Sequence, residues 1–297
     1  MSKNSYKPDE ISLIVNQDAG KVPAKMRTIS KLAKEYSIKL KMCDGPDLDN
    51  TIRESLKNKK LKRLIIGGGD GTVSLAASLI RRIRPKVELA VLPLGTANYY
   101  SKSLGLDKNL ASAFEAAYGI NVEQRYLCTA NSRDFLIGVN VGATSQMFNE
   151  VTDDDKKRFG RLAYIKGVMQ VFVRFSPPDI VVKANGEKYS IVSTELVVLN
   201  HHIHEPINLT PKVHGSEPFF EIVTYGLGNS KLSPLFGVFM FAITLGRNQK
   251  YLKRIKATKA TIRSNKNQPV AIDGDIATQL PLKITLVKKP VSFVKAV

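Results

Sequence analysis

Three consecutive glycines followed by an acidic residue form the stretch of this sequence whose residue types are best suited to chemistry. The apolar run 64–66 predicts a buried strand of a parallel sheet, which would stop at the glycines 67–69. Apolar residues at helical spacing follow over 73–83, and Thr72 is placed to cap that helix with its hydroxyl. Glycine amides at a helix N-terminus favour an anion, most naturally phosphate. The stretch therefore predicts a phosphate-binding turn.

Asp70 lies in the middle of this turn and makes the prediction more specific. A carboxylate repels phosphate oxygens unless a cation lies between them, and Mg²⁺ binds both kinds of oxygen. Asp70 is therefore a candidate metal ligand. An ordinary glycine turn with a solvated aspartate is the alternative, because one short motif is weak evidence. The spacing matches neither a Walker A loop nor G-x-G-x-x-G, so neither of those mechanisms is inferred.

A second acidic turn, Asp273-Gly274-Asp275, lies near the end of the chain between strand-like segments. An Asp-Gly pair is also favoured in a plain type I′ hairpin, which is the structural alternative. Near a bound ligand, one carboxylate could take a proton from an attacking hydroxyl while the other orients a metal or the base. Asp273 and Asp275 are therefore candidate catalytic residues.

Length and composition indicate an ordinary globular protein. The 297 residues are enough for two domains, and the chain is 43% hydrophobic with 14 prolines. Its two cysteines, Cys43 and Cys128, form no CxxC pair, which argues against a disulfide scaffold or a zinc ribbon and fits a reducing cytoplasm. The polar N-terminal residues 1–10 lack the apolar region of a signal peptide, so we expect no export.

The charge is strongly basic, with 45 Lys and Arg against 26 Asp and Glu and a net charge of +19. Nucleic acid is disfavoured as a partner, because Trp is absent and no helix-turn-helix pattern is found. An anionic membrane surface needs only basic faces near the lipid, and an acidic substrate such as a nucleotide would account for a few charges. We favour an anionic membrane surface together with a nucleotide as the partners that explain the positive charge. A lysine-rich composition without any partner would give the same net charge.

Up to residue 119 the pattern alternates strands with helices, which predicts a parallel sheet with helices on both faces. Ligands bind such sheets beyond the carboxyl ends of the strands. Three predicted strands end there in polar, glycine-containing loops, at 16–20, 67–72 and 95–98, and one cleft could collect all three. The Thr96 hydroxyl and the Asn98 amide suit nucleotide atoms, although either residue could instead be a helix N-cap.

Beyond residue 119 strand-like segments dominate, which predicts a mainly antiparallel β-sandwich as a second domain. Helices are expected at 160–175 and 232–246. The uncharged run 232–246 is short of the roughly twenty residues that span a bilayer. We interpret it first as a core-packed helix and second as a lipid-facing one. The four histidines, at 201, 202, 204 and 214, lack helical ligand spacing, so the lining of a polar pocket is favoured over a zinc site.

Four motifs in this order resemble those of the diacylglycerol kinase catalytic-domain family, most closely the bacterial soluble lipid kinases. The motifs are the segment 16–20, Gly-Gly-Gly-Asp-Gly-Thr at 67–72, Pro-Leu-Gly-Thr-Ala-Asn at 93–98 and Asp-Gly-Asp at 273–275. The resemblance covers nearly the whole chain. It implies an α/β nucleotide domain at 1–121, to which 290–297 returns, and a β-sandwich lipid-substrate domain at 122–289. It also implies ATP, Mg²⁺ and phosphoryl transfer to a lipid hydroxyl.

Carried over by position, the resemblance assigns the ATP and metal contacts to residues of the first three motifs: Asn16, Gly67, Gly68, Gly69, Asp70, Gly71, Thr72, Thr96 and Asn98. Asp275 stands where the family has the glutamate base of an Asp-Gly-Glu motif, and its side chain is one carbon shorter. Glu217 aligns with the aspartate that binds a structural Mg²⁺ in relatives. Ser74 and Tyr99 replace the usual Asn and Asp.

The sequence therefore predicts an ATP- and Mg²⁺-dependent lipid kinase in the cytoplasm, peripheral to the inner face of the membrane, with homodimerisation left open. Two alternatives stay open beside it. Asp275 and Tyr99 are consistent with a homologue that binds nucleotide or lipid without turnover. An NAD kinase would share the glycine turn, although the late Asp-Gly-Asp turn makes it the weaker interpretation. The identity of the acceptor lipid does not follow from the sequence.

Overall fold

The computed structural model describes residues 6–106, 109–142, 145, 178–193, 195–200, 216–225 and 252–296. A short 3₁₀ turn, Pro8–Glu10, precedes the first strand. The helices and strands follow in this order: β1 (Ile11–Asn16), α1 (Val22–Glu35), β2 (Leu40–Cys43), α2 (Leu48–Lys57), β3 (Arg63–Gly68), α3 (Asp70–Ile83), β4 (Glu88–Pro93), α4 (Tyr99–Ser103), α5 (Leu110–Ala117), β5 (Val122–Arg125), β6 (Cys128–Ala130), β7 (Arg133–Phe135), β8 (Gly138–Gly142), β9 (Asp179–Ala184), β10 (Glu187–Val192), β11 (Glu195–Leu199), β12 (Phe220–Tyr225), β13 (Leu252–Ala257), β14 (Lys259–Ser264), β15 (Pro269–Ile272), β16 (Asp275–Gln279), β17 (Leu282–Leu286) and β18 (Val291–Val294).

The first of two compact units comprises Met1–Leu127 and Val287–Val297. Its sheet has the strand order β2-β1-β3-β4-β18-β5. The strands from β2 to β18 run parallel, and β5 is antiparallel to β18. Every residue of the central strand β3 is buried, as expected for a strand covered on both faces.

Helices cover both faces of this sheet, as the alternating pattern predicted. Leu13 and Val15 of β1 belong to an apolar core that also contains side chains of α1 and α5. Ser12, which points to the other face, donates from its Oγ to Oγ of Ser55 on α2 at 3.4 Å. Helices α2 and α3 pack against each other on that side.

A fully buried arginine ties three elements of this unit together. Arg63, at the start of β3, donates from Nε at 2.9 Å and from Nη2 to the carboxylate of Glu88 in the adjacent strand β4. Its Nη1 donates to the carbonyls of Ala117 at 2.7 Å and Gly119 at 2.8 Å, at the end of α5. The buried charge is tolerated because all three guanidinium nitrogens find acceptors. These hydrogen bonds fix the end of α5 at the edge of the sheet where β3 begins, which is the edge away from the loops that follow the strands.

The second unit, Cys128–Leu286, contains two six-stranded sheets in which every pair of neighbours is antiparallel. Their strand orders are β10-β9-β14-β17-β6-β7 and β13-β12-β11-β8-β15-β16. The chain passes from the second of these sheets to the first between β13 and β14, with Thr258 alone between the strands. The predicted fold class, a parallel α/β sheet followed by antiparallel sheets, is confirmed.

The segment 122–129, which we expected to open the second domain as one strand, is divided between the units. Its first part forms β5 beside β18, and its end forms β6 in the second unit. The backbone groups of Val291–Val294 that face away from β4 need hydrogen-bond partners, and β5 supplies them. The local sequence contains no sign of this partner, which lies more than 160 residues further along the chain.

Several sequence predictions fall outside the described residues, namely the helices expected at 160–175 and 232–246 and the four histidines. Among the helices that are described, none has both the length and the apolar character needed to cross a membrane.

Candidate functional site

The glycine turn follows the predicted order of strand, glycines and helix, but its boundaries are shifted. Strand β3 continues through Gly68, because Gly67 and Gly68 pair with the last residues of β4. Helix α3 then begins at Asp70, with Gly69 at the N-cap position. The prediction that Thr72 caps the helix is wrong: this residue lies in the first turn of α3. Its Oγ1 instead accepts a hydrogen bond from Nδ2 of Asn16 at 3.1 Å.

Close packing explains why glycine is found at two positions in the strand-end loops, Gly68 and Gly95. A Cβ atom on Gly68 would lie 2.4 Å from Cγ2 of Thr72, and one on Gly95 would lie 2.4 Å from Cα of Gly69. The second distance joins the backbones of two different loops. Gly71 differs, because a Cβ there would have nothing within 4 Å and the residue is exposed.

The three strand-end loops meet at one edge of the sheet, as predicted. The Asn16–Thr72 hydrogen bond joins the first loop to the second. The N–H of Lys21 donates to the carbonyl of Leu94 at 3.0 Å, which joins the first loop to the third. The N–H of Leu94 donates to the carbonyl of Gly68 at 3.0 Å. A Cβ on Gly20 would lie 3.3 Å from Oγ1 of Thr96. The loops therefore form one continuous rim.

Asp70 has backbone partners within this rim. Its Oδ2 accepts from the N–H of Tyr99 at 3.1 Å, and its Oδ1 accepts from the N–H of Tyr100 at 2.8 Å. The carboxylate thus caps the first turn of α4, and these backbone contacts hold it in the turn without a cation. Each oxygen still has a second lone pair. Since α3 also presents the N–H groups of its first turn, which lack acceptors within the helix, the residues fit a phosphate with its bound cation.

The third loop is held by Asn98, which is buried and adopts a left-handed backbone conformation with φ of 52°. Its Oδ1 accepts from the N–H of Gly95 at 2.8 Å, and its Nδ2 donates to the Gly95 carbonyl at 2.8 Å. The side-chain amide is therefore occupied within the loop. It is at the N-cap position of α4 but makes no capping bond with its side chain. Thr96, in contrast, is exposed.

The late acidic turn is a two-residue hairpin between β15 and β16. Ile272 pairs with Asp275 across it, and both loop residues have positive φ, 50° at Asp273 and 95° at Gly274. These are the features of a type I′ turn. The conformation of the motif is therefore that of a plain type I′ hairpin, which the sequence offered as the alternative to a catalytic turn. A hairpin of this kind does not exclude a chemical role for its carboxylates.

The two carboxylates of this turn have different surroundings. Asp273 accepts from three backbone N–H groups, those of Leu136 at 3.0 Å, Ile137 at 2.8 Å and Gly138 at 3.1 Å. Asp275 is largely exposed, with a side-chain exposure of 76%, and its Oδ2 lies 3.9 Å from Nη2 of Arg133. Asp273 therefore holds the turn against the start of β8, whereas the carboxylate of Asp275 is exposed to solvent.

A buried network below this turn was not anticipated from the sequence. Asn200 donates from Nδ2 to the carbonyl of Leu136 at 3.0 Å, and the Cys128 thiol lies 3.4 Å from Asn200 Oδ1. Burial, followed by the nearby Asp273 carboxylate, raises the pKa of the Cys128 thiol well above its ordinary value. The thiol is therefore uncharged at neutral pH. No local pattern around Asn200 could have identified it as a support for a turn 73 residues away.

Replacing Asp273 by alanine is expected to lower the free energy of unfolding by about 1–3 kcal/mol, since three backbone amides lose their acceptor. Asp273→Asn keeps one oxygen and tolerates the left-handed conformation, so its loss should be smaller. Denaturant unfolding followed by circular dichroism measures both. Equal stability of the alanine variant and the unmodified protein would contradict the structural role.

Glu217 lies in a partly exposed bend before β12. Within the described parts of the chain, no three His, Cys, Asp or Glu side chains come close enough together to hold a metal ion. Of the predicted site residues, those from 16 to 98 come together in the first unit, and the two aspartates of the late turn belong to the second.

The motifs agree with what comparison with known proteins finds. Two relatives from Staphylococcus aureus, strains MSSA476 and MW2, both named "Putative lipid kinase", are 23% identical over 283 residues, covering 94% of this chain and 92% of theirs. A structure from Bacillus anthracis described as "a putative diacylglycerol kinase" matches with a TM-score of 0.79 and 21% identity over 98% of this chain and 99% of its own. A second one, described as a diacylglycerol kinase, has a TM-score of 0.72 and 18% identity over 98% of both chains.

These structures share the fold with this chain, and the sequence match is more specific. Residues 10–129 match the family model of the diacylglycerol kinase catalytic domain, a stretch that includes all three loops of the rim. The match supports a kinase. The resemblance inferred from the motifs is confirmed: residues 10–129 of this chain are similar to the diacylglycerol kinase catalytic-domain family.

Proposed function

We propose that this protein is an ATP- and Mg²⁺-dependent lipid kinase that transfers the γ-phosphate of ATP to the hydroxyl of a diacylglycerol-like lipid. The observation that carries the proposal is the meeting of three strand-end loops around the start of α3, in the part of the chain that matches the catalytic-domain family. The names of the Staphylococcus aureus relatives support a lipid as the acceptor.

In this proposal the first unit binds the nucleotide. The amides at the start of α3, the exposed Gly71 among them, would hold phosphate oxygens, helped by the helix dipole. Thr96 would contact the nucleotide, and Asn16 and Asn98 would hold the loops in place through their hydrogen bonds. Asp70 would bind Mg²⁺, whose chemistry is to neutralise charge on the phosphates.

The transfer step then needs a base and an acceptor. The lipid hydroxyl oxygen forms a bond to the γ-phosphorus while the bond from that phosphorus to the bridging oxygen of ADP breaks. Asp275 accepts the hydroxyl proton, for which its exposed carboxylate is suited. Asp273 acts as a positioning residue, because its three amide contacts fix the turn that carries Asp275.

The runner-up is a homologue that binds nucleotide or lipid without turnover. It is favoured by the shorter side chain of Asp275 and by Tyr99 at the position where relatives carry an aspartate. Tyr99 contacts Asp70 through its backbone N–H, however, so that contact does not depend on the side chain. An NAD kinase is the weaker alternative. A structural metal at Glu217 remains part of the family-based proposal, as does action at the cytoplasmic face of an anionic membrane.

The test combines purified protein, ATP labelled at the γ-phosphate, Mg²⁺ and a lipid extract. We expect label in a lipid product, which mass spectrometry identifies, and no label when NAD replaces the lipid. Thermal stabilisation by ATP without labelled lipid would favour the inactive homologue. Labelled NADP would favour the NAD kinase. Either result would overturn the proposal.

A further inference from the structure

The exposed face of one sheet in the second unit carries a row of lysines. Lys188 of β10 lies directly opposite Lys183 of β9, which lies opposite Thr261 of β14, which lies opposite Lys283 of β17. Directly opposed residues point to the same face, and neighbouring strands lie about 4.8 Å apart, so the row extends about 14 Å across four strands. Lys259, two residues from Thr261 on β14, points to the same face.

These four lysines, 183, 188, 259 and 283, line a shallow groove of about 490 Å³. All four are exposed, and none forms an ion pair with any described residue. Glu187 also lines the groove and accepts from the Tyr189 hydroxyl, and Asp179 of β9 accepts from Nδ2 of Asn265 at 2.8 Å. The groove therefore carries four lysines against the single carboxylate of Glu187 and is positively charged.

The arrangement is unfavourable for the fold itself. Like charges directly opposite each other on a sheet are destabilising, and Lys188 and Lys183 are such a pair. Three exposed lysines of the first unit differ, since Lys31, Lys57 and Lys60 each have an acidic partner within 4 Å. An external anion would relieve the repulsion in the groove.

We propose that this lysine face docks on the surface of an anionic bilayer. A broad sheet face complements a planar surface of phosphate groups better than it does a narrow polymer. Val192 supports this, because it lies on the same face of β10 as Lys188, is 42% exposed and can enter the headgroup layer. Single-stranded nucleic acid would need aromatic stacking, and no aromatic side chain lines the groove. The choice of a bilayer rests on the proposed function, which needs a lipid acceptor.

The test is sedimentation with vesicles in the absence of ATP, using phosphatidylcholine alone and phosphatidylcholine mixed with phosphatidylglycerol. Each lysine near an anionic surface contributes about fivefold to the partition coefficient, so K183Q/K283Q should bind the mixed vesicles about 25-fold more weakly. The control K59Q/K86Q removes the same net charge from exposed positions of the first unit and should change binding less than about threefold. Thermal unfolding checks that both variants fold.

Equal losses in the two double variants would overturn the proposal, because net charge alone would then explain binding. It would also be overturned if K183Q/K283Q lost affinity for a single-stranded oligonucleotide but not for the vesicles. Kinase activity is measured separately, on a short-chain acceptor that needs no bilayer, and K183Q/K283Q should retain it. An inactive protein that still shows the lysine-dependent vesicle binding would refute the proposed function and support the docking face.

Discussion

Replacing Gly95 by alanine is expected to lower the stability of the first unit by about 1–3 kcal/mol and to weaken ATP binding about 100-fold. The added Cβ would lie 2.4 Å from Cα of Gly69 and 2.9 Å from Oδ1 of Asn98. Neither the Gly69 backbone nor the Asn98 side chain, which is buried and bonded to Gly95, can turn away. The two loops must therefore separate, and the phosphate-binding amides move with them. Denaturant unfolding and calorimetric titration with ATP measure the two effects.

Gly71→Ala is the matched control, because a Cβ there meets no atom within 4 Å. Alanine also favours a helix over glycine by about 0.8–1 kcal/mol, so stability should be equal or higher. If phosphates approach the start of α3, the methyl group should still reduce ATP affinity. A Gly95→Ala variant with unchanged stability and ATP affinity would contradict the close contact between the loops.

Replacing Asp275 by asparagine is expected to reduce phosphoryl transfer by about 10²–10⁴-fold, the usual contribution of a general base. The side chain is 76% exposed, and its Oδ2 lies 3.9 Å from Nη2 of Arg133. The free energy of unfolding should therefore change by less than about 0.5 kcal/mol. The measurement is the initial rate of lipid labelling at saturating ATP, together with denaturant unfolding of the same preparation.

Asp275→Glu is the control for this variant, because it keeps the carboxylate and gives it the side-chain length of the glutamate in the Asp-Gly-Glu motif that the resemblance implies. It should keep transfer at or above the rate of the unmodified protein. A full rate in Asp275→Asn would remove this residue as the base. Loss of rate accompanied by loss of stability would instead assign it a structural part, as we expect for Asp273.

The fold class and the meeting of the three loops followed from the sequence, since both depend on local patterns. Alternating strands and helices up to residue 119 require a parallel sheet, and a parallel sheet places the ends of neighbouring strands at one edge. The three polar loops therefore had to meet. The conformation of the late turn was equally local, because Asp-Gly favours two consecutive left-handed residues.

The residues at which β3 ends and α3 begins were harder to predict from the sequence. The three glycines indicated where the strand should stop, yet two of them continue β3 because they pair with β4. A backbone hydrogen bond to a neighbouring strand outweighs the weak intrinsic preference of glycine against strands. Thr72 consequently lies inside α3 and bonds Asn16 instead of capping the helix.

The partners of the two acidic residues were decided only by the tertiary structure. Asp70 bonds amides 29 and 30 residues away, and Asp273 bonds amides 135–137 residues away. The sequence determined that carboxylates stand beside glycines in two turns, because residue type and spacing are local properties. Whether such a carboxylate holds the backbone or stays exposed depends on which distant N–H groups folding brings to it, and no local pattern encodes that.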